Sequence, residues 1–250
     1  VLVIAGEVHP TANPALRAAW HRRAIELCEA VLDLGLLPHT NIGPLSEREM
    51  AALAAVNASM GLMLETLRDD LPAHRGAPSK APRVRLAQLE QAGRLGVPFT
   101  TGLLLGVGEG ADDRARALDA ISAAHARHGH VQEVILQPHS RGTREQERAA
   151  LLTARRAAKG KSNSASSSGR FELAAPTFAL DELPALVAAA REALPPEVAI
   201  QVPPNLARPV LRACLDAGAS DLGGVSPRDE VNPDFSFDSL PELGDALRAC

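Results

Sequence analysis

The sequence predicts an α/β fold in which parallel strands alternate with helices and curve into a TIM-like (β/α) barrel. Short apolar runs that end in polar or small residues recur seven times, and helical patterns follow them. The length of 250 residues suits one barrel domain. Residues 1–250 are therefore expected to form a single domain, and a closed barrel is favoured over an open sheet.

Each apolar run is interpreted as one strand. The runs are VLVIAGE (1–7), LLPHTNIG (36–43), ASMGLMLET (58–66), PFTTGLLLGVGE (98–109), VQEVILQP (131–138), VAIQVPPN (198–205) and SDLGGVSP (220–227). A barrel of this kind has eight strands, so the count is one short. Because the chain also opens directly on an apolar strand, we expect a barrel that is truncated at its N-terminus and has a gap beside the Val1 strand.

The segments between the strands have helical patterns. A short helix opens at Ser46, and Asp112 and Asp113 start the helix after the fourth strand. Apolar residues at helical spacing predict further helices before the second strand, before the fourth strand, at about residues 181–194 and around residues 210–214.

Composition is that of an ordinary soluble globular protein, with 46% hydrophobic residues, 22% charged residues and a formal charge of −4. Six aromatic residues offer little surface for stacking on bases, which argues against nucleic acid as a partner. The sequence contains neither a signal-peptide pattern nor an apolar run of membrane-spanning length. We expect no membrane association and a cytoplasmic location, with an organelle left open.

The three cysteines are too few and too scattered for a disulfide framework. Cys28 and Cys214 lie on apolar helix faces, which predicts small buried hydrophobes, and Cys250 is terminal. None of the three belongs to a metal-binding motif, so the chain is expected to supply no metal ligand.

Residues 141–170 differ from the rest of the sequence. They hold eight Lys or Arg against two Glu, a charge of +6, whereas the remainder carries −10. The Ser-rich second half cannot bury enough apolar surface to offset the entropy of ordering, so the segment is expected to be a disordered basic insertion. A short helix from Glu145 to Ala158 and a docking role toward an anionic partner are the alternatives.

The run PFTTGLLLGVGE is the most informative single segment. Gly102, Gly106 and Gly108 carry no Cβ, so a flat ligand can lie against the backbone, and Glu109 closes the turn where barrel enzymes keep their chemistry. Glycines in a strand also mark bulges or tight packing, and that structural interpretation stays open.

Seven strings, AGE, HTNIG, NASMGLMLET, PFTTGLLLGVGE, HVQEVILQ, IQVPPNL and DLGGVSP, occur in an order and spacing that resemble one family. It is the family of the radical S-adenosylmethionine (SAM) enzyme 7,8-didemethyl-8-hydroxy-5-deazariboflavin (FO) synthase, the ring-closing barrel of deazaflavin biosynthesis. The resemblance covers nearly the whole chain except the basic insertion. NASMGLMLET with HRGAPSKAPRVRL, and FTTGLLLGVGE, are its most specific strings.

The resemblance implies a fold, an activity and partners. The fold is a barrel of the radical SAM type. The activity is that of a carbon–nitrogen lyase, which converts the tyrosine-derived 5-amino-5-(4-hydroxybenzyl)-6-(ribitylimino)uracil adduct to the deazaflavin with release of ammonia. The cofactors are SAM and a 4Fe-4S cluster. The partners are the small-molecule substrate, the partner FO synthase barrel, fused or separate, and an electron donor.

The resemblance also implies a SAM site at the C-terminal ends of the strands. Gly6 and Glu7 would hold the ammonium group of the methionine part, and Glu65 would accept both ribose hydroxyls. The adenine side would be lined by Gly102, Gly106 and Glu109. A solvated carboxylate at a strand end is the alternative for Glu7 or Glu65 taken alone.

Amide, hydroxyl and carboxylate groups at the other strand ends suit a ribityl-uracil substrate. The candidate substrate contacts are His39, Asn41, Gln137, Gln201, Asn205 and Asp221. His39 is either an acid–base group or a hydrogen-bonded structural residue, and no residue is assigned as catalytic.

The sequence departs from the family pattern in two places. PHSRGT follows Gln137 where the family usually continues with an aromatic residue and a Pro-rich loop, so the contacts expected from that loop do not carry over to this sequence. The C-x-x-x-C-x-x-C loop that binds the cluster is absent and is expected upstream of Val1 with the missing first strand. These 250 residues alone are therefore expected to be inactive.

Three other hypotheses remain. A barrel aldolase or phosphate-binding enzyme would need a strand lysine or a phosphate-gripping glycine loop, and DLGGVSP offers two glycines without a lysine. Another radical SAM barrel enzyme is the second. A non-catalytic truncated barrel that lacks the iron–sulfur cluster is the third.

Overall fold

The computed structural model describes residues 1–8, 12–139, 178–224, 234–235 and 240–248. Its centre is a six-stranded sheet in which every neighbouring pair is parallel. The strands are β1 (Leu2–Ile4), β2 (His39–Asn41), β3 (Ser59–Gly61), β4 (Phe99–Leu105), β5 (Val131–Pro138) and β6 (Ala199–Gln201). The basic insertion at 141–170 lies outside the described residues, so its prediction stays untested.

The helices are α1 (Pro14–Asp33), α2 (Glu47–Ala54), α3 (Pro82–Arg94), α4 (Ala111–His128), α5 (Leu183–Ala193), α6 (Pro204–Ala207), α7 (Leu211–Asp216) and α8 (Leu240–Arg248). All except α6 and α8 lie where the sequence predicts a helix. The prediction of a strand over 198–205 was wrong at its end, because Pro203 and Pro204 have no N–H to donate to a sheet and a short helix begins there. Ser46 caps α2 as predicted, in a capping box with Glu49. In the part of the chain that the structure describes, helices long and apolar enough to cross a membrane are absent.

Strand order identifies the sheet as barrel-like. Sequence neighbours are sheet neighbours throughout, in the order β1 to β6, whereas a doubly wound sheet reverses its order at a switch point. Right-handed parallel crossovers place all connecting helices on one face. Within the described residues β1 and β6 do not pair, so the sheet is open. This agrees with the predicted incomplete barrel and differs from a closed one.

The seventh predicted strand is a single bridge between Gln201 and Asp221. Gly223 follows at once with φ +72°, a left-handed conformation that ends extended backbone. The predicted count of seven strands was therefore one too many for the described residues.

The two faces of the sheet differ in character. On β5, Val134 and Leu136 are fully buried in the core that the helices cover. Glu133, Ile135 and Gln137 alternate with them and are only partly exposed on the opposite face, which we call the inner face. In a barrel this face lines the lumen, so polar residues on it are candidates for ligand contacts.

Cys28 and Cys214 are buried in the same core, as predicted. Burial raises the pKa of the Cys214 thiol to about 11. Both behave as small hydrophobes and not as ligands.

The edge of β1 exposes the apolar side chains predicted there. Val1, Leu2 and Ile4 are 57%, 54% and 55% exposed. An uncovered edge strand with apolar side chains promotes association.

We expect the 250 residues in isolation to be poorly soluble, and a Leu2→Lys, Ile4→Lys double variant to raise the soluble fraction after ultracentrifugation. Equal solubility of the two chains would show that this edge does not drive association.

Candidate functional site

Five ionisable residues meet at the carboxyl ends of β1 and β3. We call this group the carboxyl-edge cluster, and its members are Glu7, Glu65, His74, Lys80 and Arg85. Glu7 follows β1, and Glu65 lies beyond β3, where it forms a bridge with Leu103 of β4. The other three come from the segment between β3 and the first turns of α3.

Glu65 is buried and is surrounded by three basic side chains. Lys80 Nζ donates to both carboxylate oxygens at 2.9 Å, and His74 Nε2 lies 2.8 Å from Oε2. Arg85 Nη2 lies 4.0 Å from Oε1. Burial alone would raise the pKa of Glu65, but the hydrogen bonds and charges of these neighbours outweigh it and hold the pKa at about 2. Glu65 is therefore a buried anion at neutral pH.

The backbone at Glu65 is itself unusual. Its φ is +66°, the one positive value among described residues other than glycine. Its N–H donates to the carbonyl of Gly102, and its carbonyl accepts from the N–H of Leu104. A non-glycine residue in this region stores strain of about 1 to 3 kcal/mol, which is typical of functional sites.

Arg85 joins Glu65 to Glu7. Arg85 Nη2 donates to Glu7 Oε1 at 3.1 Å, and the same guanidinium donates to the carbonyls of Ser79 and Met63. Glu7 and Glu65, assigned by the sequence to one ligand, therefore lie on either side of a single guanidinium.

Gly6 and Gly43 shape the surroundings of Glu7. A Cβ at Gly6 would meet no atom of the described residues within 4 Å, so the described chain leaves the backbone there uncovered. A Cβ at Gly43, where φ is +91°, would press on the Glu7 side chain, with Cβ and Cδ both at 3.2 Å. Glycine at 43 thus makes room for Glu7, and Gly6 leaves its backbone open to a ligand.

Glu109 has a different environment from Glu7 and Glu65. Its carboxylate accepts from the N–H groups of Gly106 and Val107 at 2.8 Å and from Arg114 Nη1 at 3.1 Å. Gly106 and Gly108 have φ of +91° and +116°, which only glycine adopts readily. In this structure Glu109 fastens the turn after β4, so its assignment to the adenine side stays a prediction.

Gly102 is explained by strand packing. A Cβ there would lie 2.7 Å from the nitrogen and 2.9 Å from the carbonyl carbon of Ile135 on β5. The close-packing alternative therefore accounts for this glycine, and its contact with a cofactor stays a prediction.

Polar residues that do not belong to the carboxyl-edge cluster lie on the inner face of the sheet. His39 Nδ1 lies 2.7 Å from Ser59 Oγ, and burial lowers the pKa of His39, so the imidazole is neutral at pH 7. Asn41 lies two residues after His39 on β2, so the two side chains lie on the same face of the strand. On the same face, at the strands farther along the sheet, lie Gln137 on β5, Gln201 on β6 and Asp221, which is bridged to Gln201.

Asn205 lies apart from this group. It belongs to α6, and its Nδ2 donates to the carbonyl of Phe235 at 3.1 Å. Its contact with a substrate stays a prediction.

Two residues that the sequence analysis did not assign also occupy the inner face. Thr100 Oγ1 donates to Glu133 Oε2 at 3.0 Å, between β4 and β5. Burial and the nearby charge of Asp221 raise the pKa of Glu133 to about 7. In the run VQEVILQP, Glu133 and Gln137 are four residues apart and so lie on the same face of the strand. This pattern was the sequence signal that could have identified Glu133 as a candidate site residue.

The described residues offer no set of three or more side chains suited to a metal ion. The two cysteines among them are buried in the core and are widely separated in sequence, whereas a cluster-binding loop holds its cysteines close together in one segment.

Relatives with high sequence identity carry one name. The chain is 52% identical over 99% of its length to 7,8-didemethyl-8-hydroxy-5-deazariboflavin synthase of Synechococcus elongatus, of which it covers 66%. It is 49% identical over its full length to the synthase of Thermosynechococcus vestitus and covers 71% of it. The Nostoc synthase is 48% identical and 66% covered. The chain thus spans just under two thirds of two of these relatives.

A solved structure with a similar fold is the crystal structure of methylornithine synthase. The TM-score is 0.60 at 15% identity, over 99% of this chain and 66% of that one. At this identity the similarity concerns the fold alone. A scan against protein-family models found no match.

Proposed function

Because the chain belongs to the 7,8-didemethyl-8-hydroxy-5-deazariboflavin synthase family, we propose that the protein closes the deazaflavin ring. The substrate is the tyrosine-derived ribitylimino-uracil adduct, and ammonia is released. The observation that carries this proposal, beyond the family, is the convergence of Glu7 and Glu65 on Arg85 at the carboxyl edge of a barrel-like sheet.

The carboxyl-edge cluster supports the binding of S-adenosylmethionine. The open backbone at Gly6 and the carboxylate of Glu7 suit the ammonium group of the methionine part. Glu65, anionic at neutral pH, suits two ribose hydroxyls. Lys80 is 34% exposed in its side chain, so it is free to turn toward solvent when the ribose takes its place on Glu65.

The described residues do not fit an iron–sulfur cluster, because the only two cysteines among them are buried in the core. We propose that three cysteine ligands belong to the full-length protein outside the described residues. Such a cluster would supply the reducing electron that S-adenosylmethionine needs for its cleavage. The activity then also requires an external electron donor.

The inner face supports the binding of the ribityl-uracil adduct. Amide, imidazole and carboxyl groups of β2, β5, β6 and residue 221 lie on the same face of the sheet, and they match the carbonyl, imino and hydroxyl groups of that molecule. The partner barrel that makes the adduct, fused or separate, supplies the substrate. We place the enzyme in the cytoplasm.

The test is turnover by the full-length protein, purified without oxygen and reduced. It is expected to form a fluorescent deazaflavin from the adduct, with ammonia and 5′-deoxyadenosine as co-products. The 250 residues alone are expected to form none of these. A full-length protein without the cysteine triad and without turnover would favour the non-catalytic barrel.

Glu65 provides a binding test that does not depend on turnover. In the full-length protein, Glu65→Ala is expected to weaken S-adenosylmethionine binding by about 1 to 3 kcal/mol, because the ribose hydroxyls lose their acceptor. Glu65→Gln, which keeps one acceptor oxygen, is expected to lose less. Equilibrium dialysis with labelled S-adenosylmethionine measures the difference, and thermal unfolding of each variant controls for stability. An unchanged dissociation constant in a folded Glu65→Ala protein would refute this role.

A further inference from the structure

Glu133 is an acidic residue on the inner face of the proposed active site. It lies on β5 with Ile135 and Gln137, whereas Val134 and Leu136 are buried in the core on the opposite face. A register shift between Phe99 and Thr100 places Glu133 opposite Thr100 on β4 and opposite Ala199 on β6. Its side chain is therefore directed into the space that the substrate is proposed to fill.

The hydrogen bonds around Glu133 leave one of its oxygens available. Gln132 Nε2 donates to Thr100 Oγ1 at 3.0 Å, so the Thr100 hydroxyl proton is directed to Glu133 Oε2. The described contacts assign no partner to Glu133 Oε1. When the carboxyl group is protonated, Oε1 is thus the oxygen that carries an O–H donor for a ligand.

The surroundings of Glu133 favour its protonated form. From β4 it meets the uncharged Thr100, from β6 Ala199, and from the bridge beyond β6 the carboxyl group of Asp221. Burial is the larger cause that raises the pKa of Glu133, and the charge of Asp221, the one ionisable group among the described residues that acts on it, adds to this by repelling the charged form. The pKa is raised to about 7, so the protonated and the ionised forms are both populated around neutral pH.

We propose that Glu133 is a specificity-determining residue, which in its protonated form donates a hydrogen bond from Oε1 to a carbonyl oxygen of the pyrimidine ring. This inference rests on the proposed function, because that function puts a ribityl-uracil in the inner-face space. Asp221, on the bridge beside Gln201, accepts from an N–H of the same ring. A donor next to an acceptor matches the alternating C=O and N–H groups of a uracil edge.

The proposal fixes the direction of a pH effect. Only the protonated form of Glu133 donates, so the apparent dissociation constant rises as pH rises through about 7, in proportion to the lost protonated fraction. Between pH 6 and pH 8 the expected weakening is about tenfold. Glu133→Gln keeps a donor that does not titrate, and it is expected to bind at both pH values as the wild type binds at pH 6.

The experiment is isothermal titration of the full-length protein with 6-(ribitylamino)uracil at pH 6 and pH 8. Glu133→Leu is expected to bind at least about tenfold more weakly at pH 6, without pH dependence. Asp221→Asn removes the repelling charge and is expected to move the pH midpoint of binding downward. Circular dichroism of each variant checks that it is folded.

The outcomes separate this inference from the proposed function. Wild-type binding that is equal at both pH values, or a Glu133→Gln protein as weak as Glu133→Leu, overturns the role of Glu133 and leaves the proposed function standing. A wild type that does not bind the probe at either pH and forms no deazaflavin overturns the proposed function, and this inference with it. A tenfold pH effect that Glu133→Gln abolishes supports both.

Discussion

Arg85→Ala is expected to lower the free energy of unfolding by about 3 kcal/mol, near the lower end of the range for breaking a buried ion pair. The Arg85 side chain is 4% exposed and binds Glu7, with Glu65 at 4.0 Å. Its loss also leaves the carbonyls of Ser79 and Met63 without these donors. Because Glu65 keeps Lys80 and His74, the loss is smaller than for a wholly isolated charge.

Urea unfolding of Arg85→Ala measures this effect, with Arg94→Ala as the matched control. Arg94 also pairs with a glutamate, Glu47, but the two side chains are 53% and 62% exposed. Exposed pairs contribute about 0 to 1 kcal/mol, so the control is expected to stay close to the wild type. If the two variants lose the same stability, the carboxyl-edge cluster does not hold the strand ends together.

Gly102→Ala is expected to destabilise the protein by about 3 kcal/mol, at the upper end of the usual range for overpacking. The added methyl group would meet the nitrogen, carbonyl carbon and carbonyl oxygen of Ile135, and backbone of a neighbouring strand cannot turn away as a side chain can. β4 and β5 pair over seven residues, the longest pairing of the sheet, so the strain acts on its centre.

Gly224→Ala is the control for this change, because a Cβ there would meet no atom of the described residues within 4 Å. It is expected to leave the midpoint of thermal unfolding unchanged or slightly raised, since alanine lowers the entropy of the unfolded chain. A Gly102→Ala protein as stable as Gly224→Ala would show that β4 and β5 are not in the close contact described.

The fold was accessible from the sequence because its signals are local. Short apolar runs that end in polar or small residues, each followed by a helical pattern, located six strands and most of the helices. The described part of the seventh predicted strand (220–227) forms one bridge, and a positive φ at Gly223, which a sequence pattern does not reveal, ends the extended backbone there. The described sheet has six strands and is open, whereas the count of apolar runs predicted seven strands with one missing.

The site was accessible only in part. The family resemblance, together with their positions at strand ends, located Glu7 and Glu65, which do converge on Arg85. Their partners His74, Lys80 and Arg85 lie 9 to 20 positions after Glu65, in two short 3₁₀ helices and in α3, so their contacts depend on tertiary structure. Sequence reasoning therefore found the anions of the carboxyl-edge cluster without the cations.

Gly102 and Glu133 show the same limit of reasoning from the sequence. The sequence left ligand contact and tight packing open for Gly102, and the backbone of Ile135 accounts for it by packing. Glu133 sits inside an apolar run and was not assigned, although the alternation of β5 places it on the inner face. A charged residue at an inward position of an otherwise apolar strand is the signal that would have found it.

A crystal structure of the full-length protein with S-adenosylmethionine and the ribityl-uracil adduct tests the central claim most directly. We expect the methionine ammonium group within hydrogen-bond distance of the Gly6 carbonyl and Glu7, and the ribose hydroxyls on Glu65 in place of Lys80. We expect the uracil ring on the inner face between Glu133 and Asp221. S-adenosylmethionine bound away from the carboxyl-edge cluster, with Glu65 still enclosed by Lys80 and His74, would contradict the account.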